Sequence, residues 1–158
     1  MTDKTIPGDM LPLITLPALS GGEVSLAAFK GERNLILYFF DVDCMPCVAF
    51  LERLAEVLPE LREQNTEVVA VGSESVDELA RRFTDLKLPF PLLSDFDGTA
   101  WQLYNAGALT VIVADKFGEI RQRIDTDGGI LPDVRVLLDA VSLIELECPE
   151  CGISTWRM

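Results

Sequence analysis

Along this chain, short blocks of consecutive apolar residues alternate with stretches whose apolar positions recur at helical spacing. The strongest block is Leu35-Ile36-Leu37-Tyr38-Phe39-Phe40, held between Asn34 and Asp41. An apolar run of this length, rich in aromatics and bounded by polar groups, predicts a strand covered on both faces. After it, Val48, Leu51, Leu54, Ala55, Leu58 and Leu61 fall on one stripe with charges opposite, the pattern of an amphipathic helix. Pro59 should bend or break that helix near its end. Glu67 to Gly72 reads as a second buried strand, and Ser75 with Glu78 forms a capping box that opens the next helix. The segment 88–93, with Pro89 and Pro91, is extended, and a short helix follows over 99–104. Leu109–Asp115 and Glu119–Asp125 predict a hairpin across Lys116-Phe117-Gly118. Pro132 starts a last helix, and two short strands are expected between Leu11 and Leu26 around Gly21-Gly22.

Strands alternating with helices before a terminal hairpin predict an α/β domain, one central β-sheet with helices on both faces. Strands 34–40 and 67–71 should lie side by side and parallel. The chain has 158 residues, one domain's length, at which roughly 70% of the unfolded surface can be buried without disulfide staples. Residues 1–10 read as a leader, 11–146 as the domain and 147–158 as a tail. No apolar run approaches the ~18–20 residues of a membrane helix, and the N-terminal residues lack a signal peptide's apolar core, which points to the cytoplasm. The net charge is −13, from 26 acidic and 13 basic residues. That balance argues against nucleic acid and anionic membrane surfaces as partners and reads as solubility.

The chain contains no histidine, which removes Ser-His and Cys-His catalysis and His-ligated metal sites. Its four cysteines form two Cys-x-x-Cys pairs, Cys44-Met45-Pro46-Cys47 and Cys148-Pro149-Glu150-Cys151. The first pair stands between a buried strand and an amphipathic helix. A cysteine at a helix N-terminus faces unsatisfied backbone N–H groups and the positive end of the dipole, which favour its thiolate. A second cysteine three residues on can attack the resulting mixed disulfide, and Pro46 fits the first turn, where a missing N–H costs nothing. Opposing this, Asp41 and Asp43 place two carboxylates near Cys44. The second pair is a second redox couple, half of a four-cysteine zinc site shared by two chains, or inert; a zinc site joining it to Cys44 and Cys47 within one chain is disfavoured by the strand–helix geometry of the first pair. Trp101 and Tyr104, one helical turn apart, read as core, and no Gly-rich phosphate loop is present.

The stretch LILYFFDVDCMPC resembles the strand and motif of thioredoxin-fold proteins. Its flanks GDMLPLITLPALSGGEVSLAAFKG and LPFPLLSDFDGTAWQLYNAG, with the hairpin TVIVADKFGEIRQRI, resemble one branch, the AhpC/TSA redoxins that include peroxiredoxins. The resemblance covers roughly residues 8–124. It implies a thioredoxin-like fold with a central mixed β-sheet, and thiol–disulfide exchange at Cys44 and Cys47. It also marks departures. The cis-proline that thioredoxins place before the hairpin strand is Leu109 here, so the Ala108–Leu109 bond is expected to be trans and the substrate groove beside Pro46 altered, since a non-proline cis bond costs ~3 kcal/mol. Thioredoxins' buried acid is Tyr38, and the tryptophan before their motif is Asp43. The Pro and Thr of the peroxiredoxin Pro-x-x-x-Thr-x-x-Cys motif correspond to Leu37 and Asp41 counted from Cys44, or to Phe40 and Cys44 counted from Cys47. No arginine sits just before the 109–115 strand.

The sequence therefore predicts a thiol–disulfide oxidoreductase with Cys44 attacking and Cys47 resolving, and neither metal nor cofactor. Its partners would be a disulfide-containing protein or small molecule and an external thiol reductant, with a homodimer compatible. The alternatives are a peroxiredoxin-like peroxidase that reduces hydroperoxides, and a non-catalytic binding module whose Cys148 and Cys151 make a zinc-bridged dimer.

Overall fold

The apolar block 35–40, with Asn34 before it, becomes strand β3 (Asn34–Phe40), with all seven residues buried. The structure is a computed structural model that describes residues 5–83, 85–127 and 130–147. Around β3 a five-stranded sheet runs in the order β5-β4-β3-β6-β7, with β4 Thr66–Gly72, β5 Leu92–Ser94, β6 Leu109–Ala114 and β7 Ile120–Thr126. β3, β4 and β5 are mutually parallel neighbours, whereas β6 runs antiparallel to β3 and to β7. The sheet is mixed, as expected for a thioredoxin-like fold. β1 (Thr15–Pro17) and β2 (Glu23–Ser25) pair separately as a small ribbon.

Side-chain alternation along β3 divides the core into two layers. Ile36, Tyr38 and Phe40 face α1 (Met45–Glu63), α2 (Val76–Arg82) and α4 (Val134–Leu146). Leu35, Leu37 and Phe39 face α3 (Thr99–Tyr104) and the β1–β2 ribbon. Helices thus cover both faces, and Tyr104 is core as expected, while Trp101 is half-buried and meets Phe39 edge-on at 5.1 Å.

Three local expectations need correction. Pro59 does not end α1, which continues to Glu63. Leu58 and Leu61 remain fully buried on the same stripe, and that burial offsets the hydrogen bond the proline removes. The segment 88–93, by contrast, ends in extended form as expected, in β5, an edge strand on β4. Ser75 does cap α2, accepting from the Glu78 amide at 3.2 Å, but the Glu78 carboxylate pairs with Arg81 and Arg82 rather than reaching back. The last helix starts at Val134 with Asp133 as its cap.

The second half of the expected leader is tied down: Gly8 donates to the Ile120 carbonyl and Ile120 to the Asp9 carbonyl, both at 2.8 Å. At the opposite end of the chain, Asn34 donates to the Glu145 carboxylate at 2.8 Å, and Arg121 pairs with Glu147. The C-terminal end of α4 therefore sits where β3 and β7 begin. Cys148 and Cys151 lie outside the described residues.

Candidate active site

The backbone turns sharply after β3, with the Cys44 amide donating to the Asp41 carbonyl at 3.0 Å. Cys44 is consequently the N-cap of α1, in extended geometry, with Pro46 in the first turn. Its Sγ accepts a hydrogen bond from the Cys47 amide at 3.2 Å, the contact through which a helix N-terminus stabilises negative charge on sulfur. Cys44 is half-exposed and Met45 is 80% exposed, whereas Cys47 is fully buried. The two cysteines form a disulfide with Cα atoms 5.1 Å apart, inside the range such bonds accept.

The motif is held from below by Tyr38, whose hydroxyl donates to the Cys47 carbonyl at 2.7 Å. Burial pushes this hydroxyl far above the usual tyrosine range, so where thioredoxins were expected to place an acid stands a donor that keeps its proton around neutral pH. It anchors α1 but cannot take a proton. From the other side, the 105–108 connection brings the Ala108 carbonyl within 3.6 Å of Cys47 Sγ, and the same oxygen accepts from the Asp41 amide at 2.9 Å. Leu109 is fully buried and pairs with Phe40 in the β6–β3 ladder. Among the described residues there is no cis peptide bond, so the Ala108–Leu109 bond is trans as expected.

The two carboxylates near Cys44 have partners that the sequence did not reveal. Asp41 Oδ1 accepts from the Asp43 amide at 2.9 Å. Asp43 forms an ion pair with Arg82 of α2 at 3.0 Å, and Arg82 also pairs with Glu78. The cation thus offsets part of the negative charge expected to oppose Cys44 ionisation. Its only sequence signal is the Glu78/Arg82 spacing of four, which predicts a helix surface pair and nothing about Asp43.

Beside the motif, an open depression of ≈ 500 Å³ is lined by Asp41, Ser73, Gly98, Trp101, Gln102, Gly107 and Ala108. It meets the motif's turn at Asp41 and the 105–108 connection at Gly107 and Ala108, and neither Cys44 nor Cys47 lines it. Among the described residues, no group of three or more Cys, Asp or Glu side chains is arranged to hold a metal, and no helix is long and apolar enough to cross a membrane.

Comparison with known proteins gives a consistent result. The model of the AhpC/TSA family matches residues 7–123. The thiol–disulfide oxidoreductase ResA of Geobacillus kaustophilus (strain HTA426) is 32% identical over 130 residues, 78% of this chain and 72% of its own length. A Mycobacterium tuberculosis (strain ATCC 25618 / H37Rv) protein provisionally named a peroxiredoxin is 34% identical over 137 residues, covering 82% of this chain and 85% of its own length. Among solved structures, the reduced 2-Cys peroxiredoxin of Plasmodium vivax superposes with a TM-score of 0.83 over 96% of this chain and 89% of that one. At 21% identity it speaks for the fold alone.

Proposed function

The chain belongs to the AhpC/TSA family, whose members among its relatives are oxidoreductases of thiols and disulfides, and on that premise we propose that it reduces disulfides with Cys44 attacking and Cys47 resolving. The observation that carries the assignment is the asymmetry of the pair. Cys44 is half-exposed with a helix amide donating to its sulfur, while Cys47 is fully buried. Only Cys44 is both accessible to a substrate and stabilised as the thiolate.

The thiolate of Cys44 attacks one sulfur of the substrate disulfide, and the other sulfur leaves with the bonding pair as a thiolate. Cys47 then gives up its proton and attacks Cys44 Sγ. The bond between Cys44 and the substrate breaks, and the second substrate sulfur leaves as a thiol. Two electrons have moved to the substrate, and the protein holds the Cys44–Cys47 disulfide. An external dithiol returns it to the reduced state.

Leu109 favours small disulfides over folded protein disulfides as substrates, because the groove beside Pro46 and Leu109 lacks the fixed cis turn. Cys148 and Cys151 are assigned as a second redox pair, the chain as competent to dimerise, and the cytoplasm as its compartment. The test of the roles is trapping. Cys47→Ser should accumulate a mixed disulfide on Cys44 with a small disulfide substrate, seen by intact mass, while Cys44→Ser should accumulate none. Trapping in the Cys44→Ser protein alone would reverse the assignment. A hydroperoxide run in parallel separates the peroxidase reading, which requires sulfenic acid on one cysteine faster than disulfide exchange.

A further inference from the structure

The carbonyl that faces Cys47 belongs to a connection with no regular structure of its own. Residues 105–108 link the end of α3 to the start of β6. Leu109, which follows, has no ring to fix its φ, and Asn105 at the helix end adopts the left-handed region at φ 51°. Such a segment keeps one conformation only if other groups impose it.

A closed circuit of hydrogen bonds does so. Arg123, on β7, is 4% exposed and grips Asp125 with both ends of its guanidinium, Nε and Nη2, at 2.8 and 3.0 Å. It also donates to the Tyr104 carbonyl at 2.8 Å and to the Asn105 carbonyl at 2.9 Å, with Thr5 taking the remaining donation. Asp125 Oδ1 accepts from the Thr110 hydroxyl at 2.8 Å, and Thr110 Oγ1 accepts from the Gly107 amide at 2.9 Å. The circuit therefore holds the connection at both ends: at 104–105 by Arg123, and at 107 by Thr110. Ala108 is the next residue, and its carbonyl lies against Cys47 Sγ.

We infer that Thr110 and Arg123 are positioning residues for the resolving cysteine, fixing the Ala108 carbonyl so that it accepts the Cys47 S–H in the reduced protein. This rests on the reading of Cys47 as the resolving thiol. A carbonyl oxygen at that distance favours the thiol over the thiolate, because its lone pairs attract a proton and repel a negative sulfur. The disulfide has no S–H to donate. The contact thus stabilises the reduced dithiol specifically and shifts the dithiol–disulfide equilibrium toward it. It also delays Cys47 until a mixed disulfide on Cys44 offers a leaving thiolate to take its proton.

Thr110→Val removes both hydrogen bonds of the hydroxyl at nearly constant volume. It leaves untouched Cys44, Tyr38, Asp41, Asp43 and Arg82 about the motif, while Asp125 loses this one donor and keeps both of those from Arg123. In the full chain, equilibrated with reduced and oxidised glutathione, Thr110→Val should shift the equilibrium roughly 3- to 10-fold toward the disulfide, ~15–30 mV at 29.6 mV per tenfold for a two-electron couple. In a Cys44→Ser background, alkylation of Cys47 should reach its half-maximal rate at lower pH when Thr110→Val is added. Thr110→Ser, which keeps the hydroxyl, should restore wild-type values in both assays. Arg123→Lys, which loses the forked grip on two carbonyls but keeps the charge, should move both in the same direction by less. The inference is overturned if the variants lower the melting temperature while the glutathione equilibrium and the alkylation profile stay as in wild type. The alkylation assay needs no turnover, so it decides the positioning role even if the wild-type protein reduces no disulfide, a result that would count against the functional reading alone.

Discussion

Tyr38→Phe tests whether the residue beneath the motif is a neutral anchor, and the test is sharpest when run at two pH values. The hydroxyl is fully buried and donates at 2.7 Å to a carbonyl in α1. Losing that bond while keeping the ring should cost about 1 kcal/mol near neutrality, or roughly 2–4 °C in melting temperature for a domain of this size. Burial raises the ionisation of Tyr38 in the folded state far above the ordinary value of 10.0. A group raised in this way contributes its stability in full below the unfolded value, and loses it as pH rises towards the folded one. Above pH ~10 the unfolded chain sheds a proton that the folded chain keeps, so by pH 11 each such tyrosine weakens folding by about 1.4 kcal/mol. Tyr104 is raised for the same reason and is unaffected by the substitution. The deficit of Tyr38→Phe, about 1 kcal/mol at pH 7, should therefore vanish or slightly reverse at pH 11. Urea denaturation at both pH values, with every thiol outside the 44–47 disulfide blocked, measures it. An equal deficit at the two pH values would refute the reasoning, because it would mean that Tyr38 ionises in the folded protein as readily as in the unfolded one.

Wild-type protein should reduce small disulfides at least tenfold faster than disulfides of folded proteins, and Leu109→Pro should narrow that gap; equal wild-type rates on both substrates would remove the argument from Leu109. Ser75→Ala should cost about 1 kcal/mol by uncapping α2. It should also slow alkylation of Cys44 slightly, because Arg82, which offsets Asp43, rides on that helix, and a stability loss without any change at Cys44 would disconnect the ion pair from the thiol.

The fold was legible where one physical signal dominated. Seven buried residues of β3 follow from an apolar run that nothing but a doubly covered strand could accommodate, and the β6–β7 hairpin follows from two strand-like runs around Gly118. The Cys44–Cys47 pair was legible because Cys-x-x-Cys places two sulfurs one helical turn apart, within bonding range. What surrounds them was not. The Arg123–Asp125–Thr110 circuit joins positions that look like ordinary polar alternation on a strand, and only the register of β6 against β7 brings Thr110 opposite Asp125. Tyr38 read as one more aromatic of the run, because its hydroxyl's partner is a backbone carbonyl and backbone groups leave no trace in composition. Pro59 misled for the opposite reason, since a strong local rule was outweighed by the burial of Leu58 and Leu61.

The placement of the end of α4 ties the two longest helices to one side chain. α1 spans about 28 Å over its 19 residues. The Asn34 amide that receives Glu145 also donates to the Gln64 carbonyl, at the far end of that helix from Cys44. One buried side chain thus joins the start of β3 to the ends of α1 and α4. Local opening at this end of the helix layer therefore unfastens α1 and α4 together, and leaves the disulfide at the other end of α1 in place.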